Sequence, residues 1–315
     1  MIKTPVCELL GIEYPVFQGG MAWIADAELA AAVSNAGGLG VIAAGNAPAE
    51  YVTGQIRKAK TLTDKPFGVN IMLMSPYTDE VAEAAAKEGV AAVITGAGNP
   101  LKYMKLWTGA GVKVIPVVAS TGLAKLAQRG GAVAVIAEGG ESGGHVGEIT
   151  TMALVPQVCD VVDIPVIAAG GVGDGRGVAA AFMLGAVGVQ IGTRFLVAKE
   201  CNVHRNYKDK ILAAKDIDTI TTGKRLGHPV RSLKTPFSRE FFAKEYDSGV
   251  TAEELEAFGA GALKLAAVDG DLKNGCFLAG QIAGMISKEQ SAKDIIEELM
   301  SGAEKVLGGS SKWIK

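Results

Sequence analysis

The 315-residue sequence contains few of the residues that bind metals or form cross-links, with only four cysteines and three histidines. The cysteines are far apart and include no C-x-x-C pair; they are Cys7, Cys159, Cys201 and Cys276. The spacing of a metal site or a redox dithiol is therefore missing. We expect reduced thiols, as is usual in cytosolic proteins, and no bound metal.

The sequence also lacks long apolar runs and an excess of one charge. No apolar stretch is long enough to cross a bilayer without glycine or a charge, and the first residues lack the apolar run of a signal peptide. A formal net charge of -2 argues against a nucleic-acid binder held by phosphate contacts. These absences predict a soluble cytoplasmic protein that binds neither membranes nor nucleic acid.

Aromatic residues make up only 6% of a chain that is 49% hydrophobic and holds 42 glycines. Small and aliphatic side chains must therefore do the packing, which is typical of parallel strands buried on both faces. Eight apolar runs of this kind occur in the first two thirds, at residues 15–19, 39–44, 67–73, 91–95, 113–118, 133–137, 165–169 and 187–191.

Segments with helical spacing separate these runs, at residues 26–35, 48–62, 79–88, 102–108, 121–128 and 175–184. Parallel neighbours need a crossover of about a dozen residues or more. The alternation therefore predicts an α/β fold, a (β/α)8 TIM barrel. A doubly wound open sheet is the alternative, and it is less economical because it also needs a switch point.

Glycine-rich loops follow most of these strands, and the most unusual one surrounds a histidine. Gly139, Gly140, Gly143 and Gly144 precede His145 after the sixth strand. Glycine clusters cost backbone entropy and are typical of positive φ or of close approach to a ligand. Since barrel chemistry collects at the carboxyl ends of the strands, this loop indicates an active site. A turn whose histidine is exposed or bonded within the fold is the alternative.

The loops after the seventh and eighth strands contain Gly170, Gly171 and Gly192. TIM barrels often bind phosphate in these two loops, through backbone N–H groups and a helix N-terminus. The alternative is that these glycines only allow helices to pack closely on strands. The stretch 171–175 could be mistaken for a dinucleotide fingerprint, but that motif belongs to the first βα turn of a Rossmann unit.

The composition changes after Lys199. Residues 199–239 contain ten basic and four acidic side chains, a local balance of +6 in a nearly neutral protein. We interpret this as a surface for an acidic partner or a phosphorylated substrate, with an ordinary solvated face as the alternative. Short strands at 219–222 and 229–233 and a helix at 251–264 predict a small inserted domain.

The predicted domains are thus a barrel formed by residues 1–200 and 275–315, and a small substrate or partner domain, inserted after the eighth strand, formed by residues 201–274. A small-residue helix at 275–286 and an amphipathic helix at 291–307 complete the outer ring of the barrel.

Six motifs in order resemble the FMN-dependent enoyl-acyl-carrier-protein reductase II family. They lie at residues 17–23 (FQGGMAW), 67–73 (FGVNIML), 95–100 (TGAGNP), 137–145 (AEG and GGH), 167–171 (IAAGG) and 190–195 (QIGTRF). The resemblance covers nearly the whole chain and extends to the nitronate monooxygenases of the same superfamily. Glu138 favours the reductases, because nitronate monooxygenases tend to carry glutamine there.

The resemblance implies an FMN at the mouth of the barrel, with its phosphate at Gly171, Gln190, Gly192 and Thr193. The full set of cofactor-binding residues that we predict is Gly20, Met21, Ala22, Asn70, Glu138, Gly143, Gly144, Gly170, Gly171, Gln190, Gly192 and Thr193. His145 is the predicted catalytic residue, while His204 and His228 are interpreted as ordinary polar positions unless the fold brings them to the cofactor.

The activity implied is reduction of a trans-2-enoyl thioester on acyl carrier protein by NADH or NADPH, in fatty acid elongation. The acidic carrier would dock on residues 199–239, and a homodimer is the family expectation. Three alternatives stay open: nitronate oxidation by O2 on the same cofactor, a phosphosugar lyase or isomerase that uses the same phosphate loops, and a binding protein without activity.

Overall fold

The computed structural model describes residues 2–313, and its strands alternate with helices along most of the chain. The strands are β1 (Val16–Gln18), β2 (Gly40–Ala43), β3 (Phe67–Met72), β4 (Ala92–Gly96), β5 (Lys113–Val118), β6 (Val135–Glu138), β7 (Gly144–His145), β8 (Val166–Ala169), β9 (Gly188–Ile191), β10 (Thr219–Thr222) and β11 (Val230–Leu233).

Eight of these strands form one parallel sheet, which confirms the predicted barrel. The strand order is β1-β9-β8-β6-β5-β4-β3-β2, and a parallel bridge between Phe17 and Leu39 joins the two outer strands. This closure excludes the open-sheet alternative, since an open sheet leaves its edge strands apart. All eight predicted strands are present, with ends that differ from the prediction by at most two residues.

The helices are α1 (Pro5–Leu10), α2 (Ala27–Asn35), α3 (Ala49–Leu62), α4 (Thr78–Glu88), α5 (Met104–Gly109), α6 (Thr121–Arg129), α7 (Thr151–Cys159), α8 (Gly175–Met183), α9 (Arg205–Leu212), α10 (Pro236–Glu245), α11 (Ala252–Gly259), α12 (Ala262–Lys264) and α13 (Ala292–Gly308). The six predicted crossover helices are present. Side-chain caps define several of their starts: Asp26 accepts from the Leu29 N–H and Ser120 from the Leu123 N–H.

Period-two alternation divides the strand side chains between two apolar layers. Alternate residues such as Phe17, Ile94 and Ile167 point into the barrel and pack with α1. The residues between them, such as Val69 and Val189, pack against the outer helices. Both faces of each strand are thus buried, which is why the strands read as continuous aliphatic runs.

Two helix predictions were wrong in part or in full. Residues 275–286 do not form a helix: Leu278 pairs with Ser232 in an antiparallel bridge, and only a short 3-10 turn, Gln281–Met285, follows. The extended backbone around Gly280 is needed because this segment crosses the mouth of the barrel. The predicted helix at 251–264 breaks at Gly261, whose φ of +76° ends α11 and separates it from α12.

The inserted segment has its own apolar cluster but is joined to the barrel by a sheet. Phe237, Phe241, Leu255 and Ala262 pack together. Strand β11 pairs with β10 on one side and, on the other, with β7, which belongs to the histidine loop of the barrel. The domain boundaries stay a prediction. Between residues 2 and 313, no helix is both long and apolar enough to cross a membrane.

Candidate active site

A cavity of about 740 Å³, including space open to solvent, lies at the carboxyl ends of the barrel strands. Ten of the twelve residues predicted to bind cofactor line it: Gly20, Met21, Ala22, Glu138, Gly143, Gly170, Gly171, Gln190, Gly192 and Thr193. The fold therefore brings together loops that are up to about 170 residues apart in the sequence. Side chains from the inserted segment, Tyr207 and Leu263, close the other side.

The loop after β8 is shaped to bind an anion. Gly170 and Gly171 have φ angles of +88° and +74°, the left-handed region that favours glycine. The backbone N–H groups of Gly171, Val172 and Gly173 have no hydrogen-bond acceptor within residues 2–313. Since α8 begins at Gly175, these donors and the helix N-terminus lie on the same short stretch, the usual arrangement for a phosphate.

Two buried polar atoms of the cavity lack partners. The Oε1 atom of Gln190 and the Oγ atom of Ser142 are inaccessible to solvent and form no hydrogen bond of proper geometry with the part of the chain that the structure describes. A buried polar atom without a partner costs about 1–3 kcal/mol, so such atoms usually face a ligand or an ordered water. Both atoms belong to residues of the cavity wall, which indicates a polar ligand.

Glu138 contributes a carboxyl group at the end of β6. Burial raises the pKa of this carboxyl to about 7. The nearby Ser142 hydroxyl lowers the pKa by a smaller amount, because it favours the charged carboxylate. Near neutral pH the side chain therefore exists partly as the acid, which can donate a hydrogen bond into the cavity. The resemblance to the reductases had singled out this position, and the structure places it in the wall of the cavity.

The raised pKa of Glu138 predicts a pH-dependent stability. Because the folded protein binds this proton more tightly than the unfolded chain does, the free energy of unfolding should fall as pH rises from about 4.5 to about 7. The shift from 4.5 to about 7 corresponds to at most about 3 kcal/mol. Glu138→Gln should remove this fall in denaturant titrations of the cofactor-free protein, whereas Glu83→Gln on the exposed face of α4 should retain it. Parallel pH profiles for Glu138→Gln and the unsubstituted chain would contradict the assignment.

The histidine loop is held by residues that sequence reasoning missed. The Glu141 carboxylate accepts from the backbone N–H and the hydroxyl of Thr151, at 2.9 Å to Oε2 in both cases. The Arg231 guanidinium donates to the carbonyl of Gly140 at 2.9 Å, and the Gln281 N–H donates to the carbonyl of Glu141. The loop is thus fixed by the start of α7, by β11 and by the segment that crosses the barrel mouth.

Three predicted site residues lie outside the cavity wall. Asn70 packs against Gly20 so closely that a Cβ at Gly20 would lie 2.3 Å from the Asn70 Cβ. Gly144 and His145 form β7, beyond the wall residue Gly143.

Thr193 lines the cavity, but its hydroxyl accepts from the Gly280 N–H at 2.9 Å and so helps to fix the crossing segment.

His145 stands at an exposed position of β7, two residues past the cavity wall. Partial burial of its ring, together with the charge of His228, lowers the pKa of His145 below its ordinary value. The imidazole is therefore neutral at pH 7 and able to donate one N–H hydrogen bond. By contrast, His204 is structural, since its Nδ1 accepts from the Asn206 N–H at the start of α9.

The basic stretch is only partly a surface. Lys208 is buried and donates to the carbonyl of Ala198, and Arg205 pairs with Asp209 and Glu289. Arg225 and Arg231 donate to backbone carbonyl groups. The remaining basic side chains form no ion pair within the described chain: Lys199, Lys210, Lys215, Lys224, Lys234 and Arg239.

The cavity fits FMN, the cofactor that the resemblance implies. The free N–H groups after β8 suit its phosphate, and the unpaired atoms of Gln190 and Ser142 suit its polar ring and ribityl groups. Within residues 2–313, no cluster of three or more histidine, cysteine or acidic side chains could hold a metal ion.

Comparison with known proteins agrees with the fold. The family model for nitronate monooxygenase matches residues 3–89 and 77–302. The structure of FabK from Thermotoga maritima is 48% identical over 100% of both chains, with a TM-score of 0.97. A (3aS,4S,5R,7aS)-5-hydroxy-7a-methyl-1-oxo-octahydro-1H-indene-4-carboxyl-CoA dehydrogenase from Rhodococcus jostii is 34% identical over 96% of each chain. A probable nitronate monooxygenase from Staphylococcus saprophyticus is 32% identical over 97% of this chain and 99% of its own.

Proposed function

The chain belongs to the nitronate monooxygenase family of FMN-dependent oxidoreductases, and from this premise we propose that it is an enoyl-acyl-carrier-protein reductase acting with NADH or NADPH. The observation that carries the proposal is the full-length likeness to FabK, an enoyl-acyl-carrier-protein reductase II, at 48% identity. Glu138, the position that separates the reductases from the nitronate monooxygenases in the resemblance, lies in the cavity wall and supports the same choice.

When bound, FMN supplies the hydride chemistry, accepting a hydride from the nicotinamide and giving it to the β-carbon of the enoyl thioester. The protein must then stabilise the negative charge that develops on the thioester oxygen and supply a proton to the α-carbon. We assign the first task to the rim that carries His145, and the proton would come from solvent, to which this rim is exposed. The neutral imidazole of His145 can donate an N–H hydrogen bond to that oxygen, a role in which one good donor contributes about 3–4 kcal/mol.

The cavity residues would hold the cofactor and exclude water. Gly171 and its neighbours would bind the phosphate through backbone N–H groups, and Gln190 and Ser142 would hydrogen-bond the rest of the molecule. Glu138 would present a carboxyl that changes charge near neutral pH. Tyr207 and Leu263 would shield the cavity from the side of the inserted segment.

We place the acyl carrier protein on the basic side chains of residues 199–239 that form no ion pair or backbone hydrogen bond with the described residues. Of these side chains, Lys224 is closest in sequence to His228. Carrier proteins are acidic, so opposite charges would steer their approach. This surface is smaller than the sequence predicted, because Lys208 is buried and Arg205 is paired. The homodimer is a further part of the proposal.

An anaerobic two-substrate assay tests the function. NADH or NADPH should bleach the FMN-loaded protein, and crotonyl thioester should then restore the oxidised spectrum. If the carrier docks as proposed, raised salt should increase KM for crotonyl-acyl carrier protein and leave KM unchanged for the uncharged crotonyl thioester of N-acetylcysteamine. A protein that NADH and NADPH both fail to bleach is not an enoyl reductase.

Nitronate oxidation is the second candidate, because the family model and a curated relative carry that name. It predicts a different outcome of the same assay. The nitronate itself would bleach the cofactor without a nicotinamide, O2 would restore the colour, and crotonyl thioester would have no effect.

A further inference from the structure

Two of the three histidines lie on the same face of the small sheet beside the cavity. In the antiparallel pairing of β7 with β11, His145 is opposite Val230, and the Val146 N–H donates to the carbonyl of Pro229 at 3.0 Å. The same register extends to the residues just before β11. His228 therefore lies diagonally across from His145, on the same face of the two paired segments. Diagonal neighbours in an antiparallel pair lie about 7–8 Å apart at Cα, within reach of aromatic side chains.

The position of His228 is fixed by a rigid turn. Its N–H donates to the carbonyl of Gly223 at 3.2 Å, and Gly223 adopts a φ of +78°. A Cβ at Gly223 would lie 2.7 Å from the His228 carbonyl oxygen, so only glycine allows this close approach. The buried Glu245 carboxylate accepts from the N–H groups of Gly223 and Arg225 and anchors the turn to α10.

Three charged side chains near β7 are bonded to other groups. Arg231, opposite Gly144 and next in register, lies on the opposite face and binds the carbonyl of Gly140. Arg225 binds carbonyl groups of the segment 245–250. Glu141 is held by Thr151, and the segment 278–280 that packs on Gly144 carries no titratable side chain. Among the described residues, His228 is the titratable group whose charge acts on His145.

We propose that His228, held diagonally across the strand pair, is a positioning residue that acts on the His145 imidazole and disfavours a second positive charge beside it. A neutral imidazole donates an N–H hydrogen bond to a developing oxyanion and keeps its proton. This suits the thioester oxygen of the proposed reaction. The inserted segment thus takes part in the chemistry of the barrel. The proposal rests on the proposed function for the identity of the substrate, but the coupling of the two imidazoles does not.

NMR titration of the histidine ring protons in the FMN-loaded protein tests this coupling directly. With three histidines, each signal can be assigned from one single variant. His228→Gln removes the second charge, so the titration of His145 should move to higher pH. His228→Lys places a permanent positive charge at the same position and should move it to lower pH. The matched control His204→Gln, which changes a histidine on α9, should leave it unchanged.

The pH profile of enoyl reduction supplies the second readout, because it should shift in the same direction as the NMR titration in each variant. His228→Asn gives a second neutral replacement if the glutamine variant is unstable. An unchanged His145 titration in His228→Gln or His228→Asn would overturn the proposal. If the titration shifts but no variant, nor the unsubstituted protein, reduces enoyl thioesters, the coupling stands and the proposed function fails.

Discussion

Replacing His145 by alanine should slow enoyl reduction by about 100-fold or more, because removing one good hydrogen-bond donor to a developing oxyanion typically costs about 10²- to 10³-fold in kcat. The loss should lie in the second half of the reaction, the reoxidation of the reduced cofactor by the enoyl thioester. Bleaching by NADH should remain near normal, because His145 lies outside the cavity wall. Stopped-flow measurement of the two half-reactions separates these effects.

His145→Gln serves as the matched variant, because the amide retains an N–H donor but cannot transfer a proton. If the imidazole acts mainly by hydrogen bonding to the thioester oxygen, glutamine should recover part of the rate that alanine loses. Recovery should be absent if proton transfer dominates. Near-normal reoxidation in His145→Ala would remove His145 from the mechanism.

The barrel could be predicted from the sequence because each of its strands has a recognisable pattern. Each one is an aliphatic run buried on both faces and bounded by glycine, and each crossover helix has its own apolar stripe. The positions of the phosphate loop followed from the fold, since the carboxyl ends of neighbouring strands must meet at one edge. The same logic placed Gly171 and Gly192 at one cavity although they are 21 residues apart.

The missed features depend on contacts between distant segments. The two residues of β7 carry no strand signal, and their extended conformation comes from pairing with β11, about 85 residues later. Residues 275–286 have helix-forming small residues, but the bridge from Leu278 to Ser232 and the close approach of Gly280 to the histidine loop override that preference. The proximity of His228 to His145 arises from the same pairing, so no local pattern could reveal it.

Filling the space beside Gly192 should abolish tight FMN binding without unfolding the protein. Gly192 lines the cavity with a φ of -105°, which any residue can adopt, and an added Cβ would make only ordinary contact with the Met21 side chain, at 3.7 Å to Sδ. The methyl groups of valine would extend further, into space that the cofactor needs. Overpacking costs about 1–3 kcal/mol, so Gly192→Val should raise the Kd for FMN by roughly 10- to 100-fold in a fluorescence titration.

Gly96→Val is the matched control, because Gly96 also ends a barrel strand but lies outside the cavity wall, with no atom within 4 Å of an added Cβ. It should bind FMN like the unsubstituted chain. Gly192→Ala, which adds only the tolerated Cβ, should fall between the two. If Gly192→Val bound FMN normally, the phosphate-side loops would be structural glycines that allow close packing, and the cofactor would have to lie elsewhere on the barrel face. A graded loss from alanine to valine, with thermal unfolding of the cofactor-free variants unchanged, would instead locate FMN against β9.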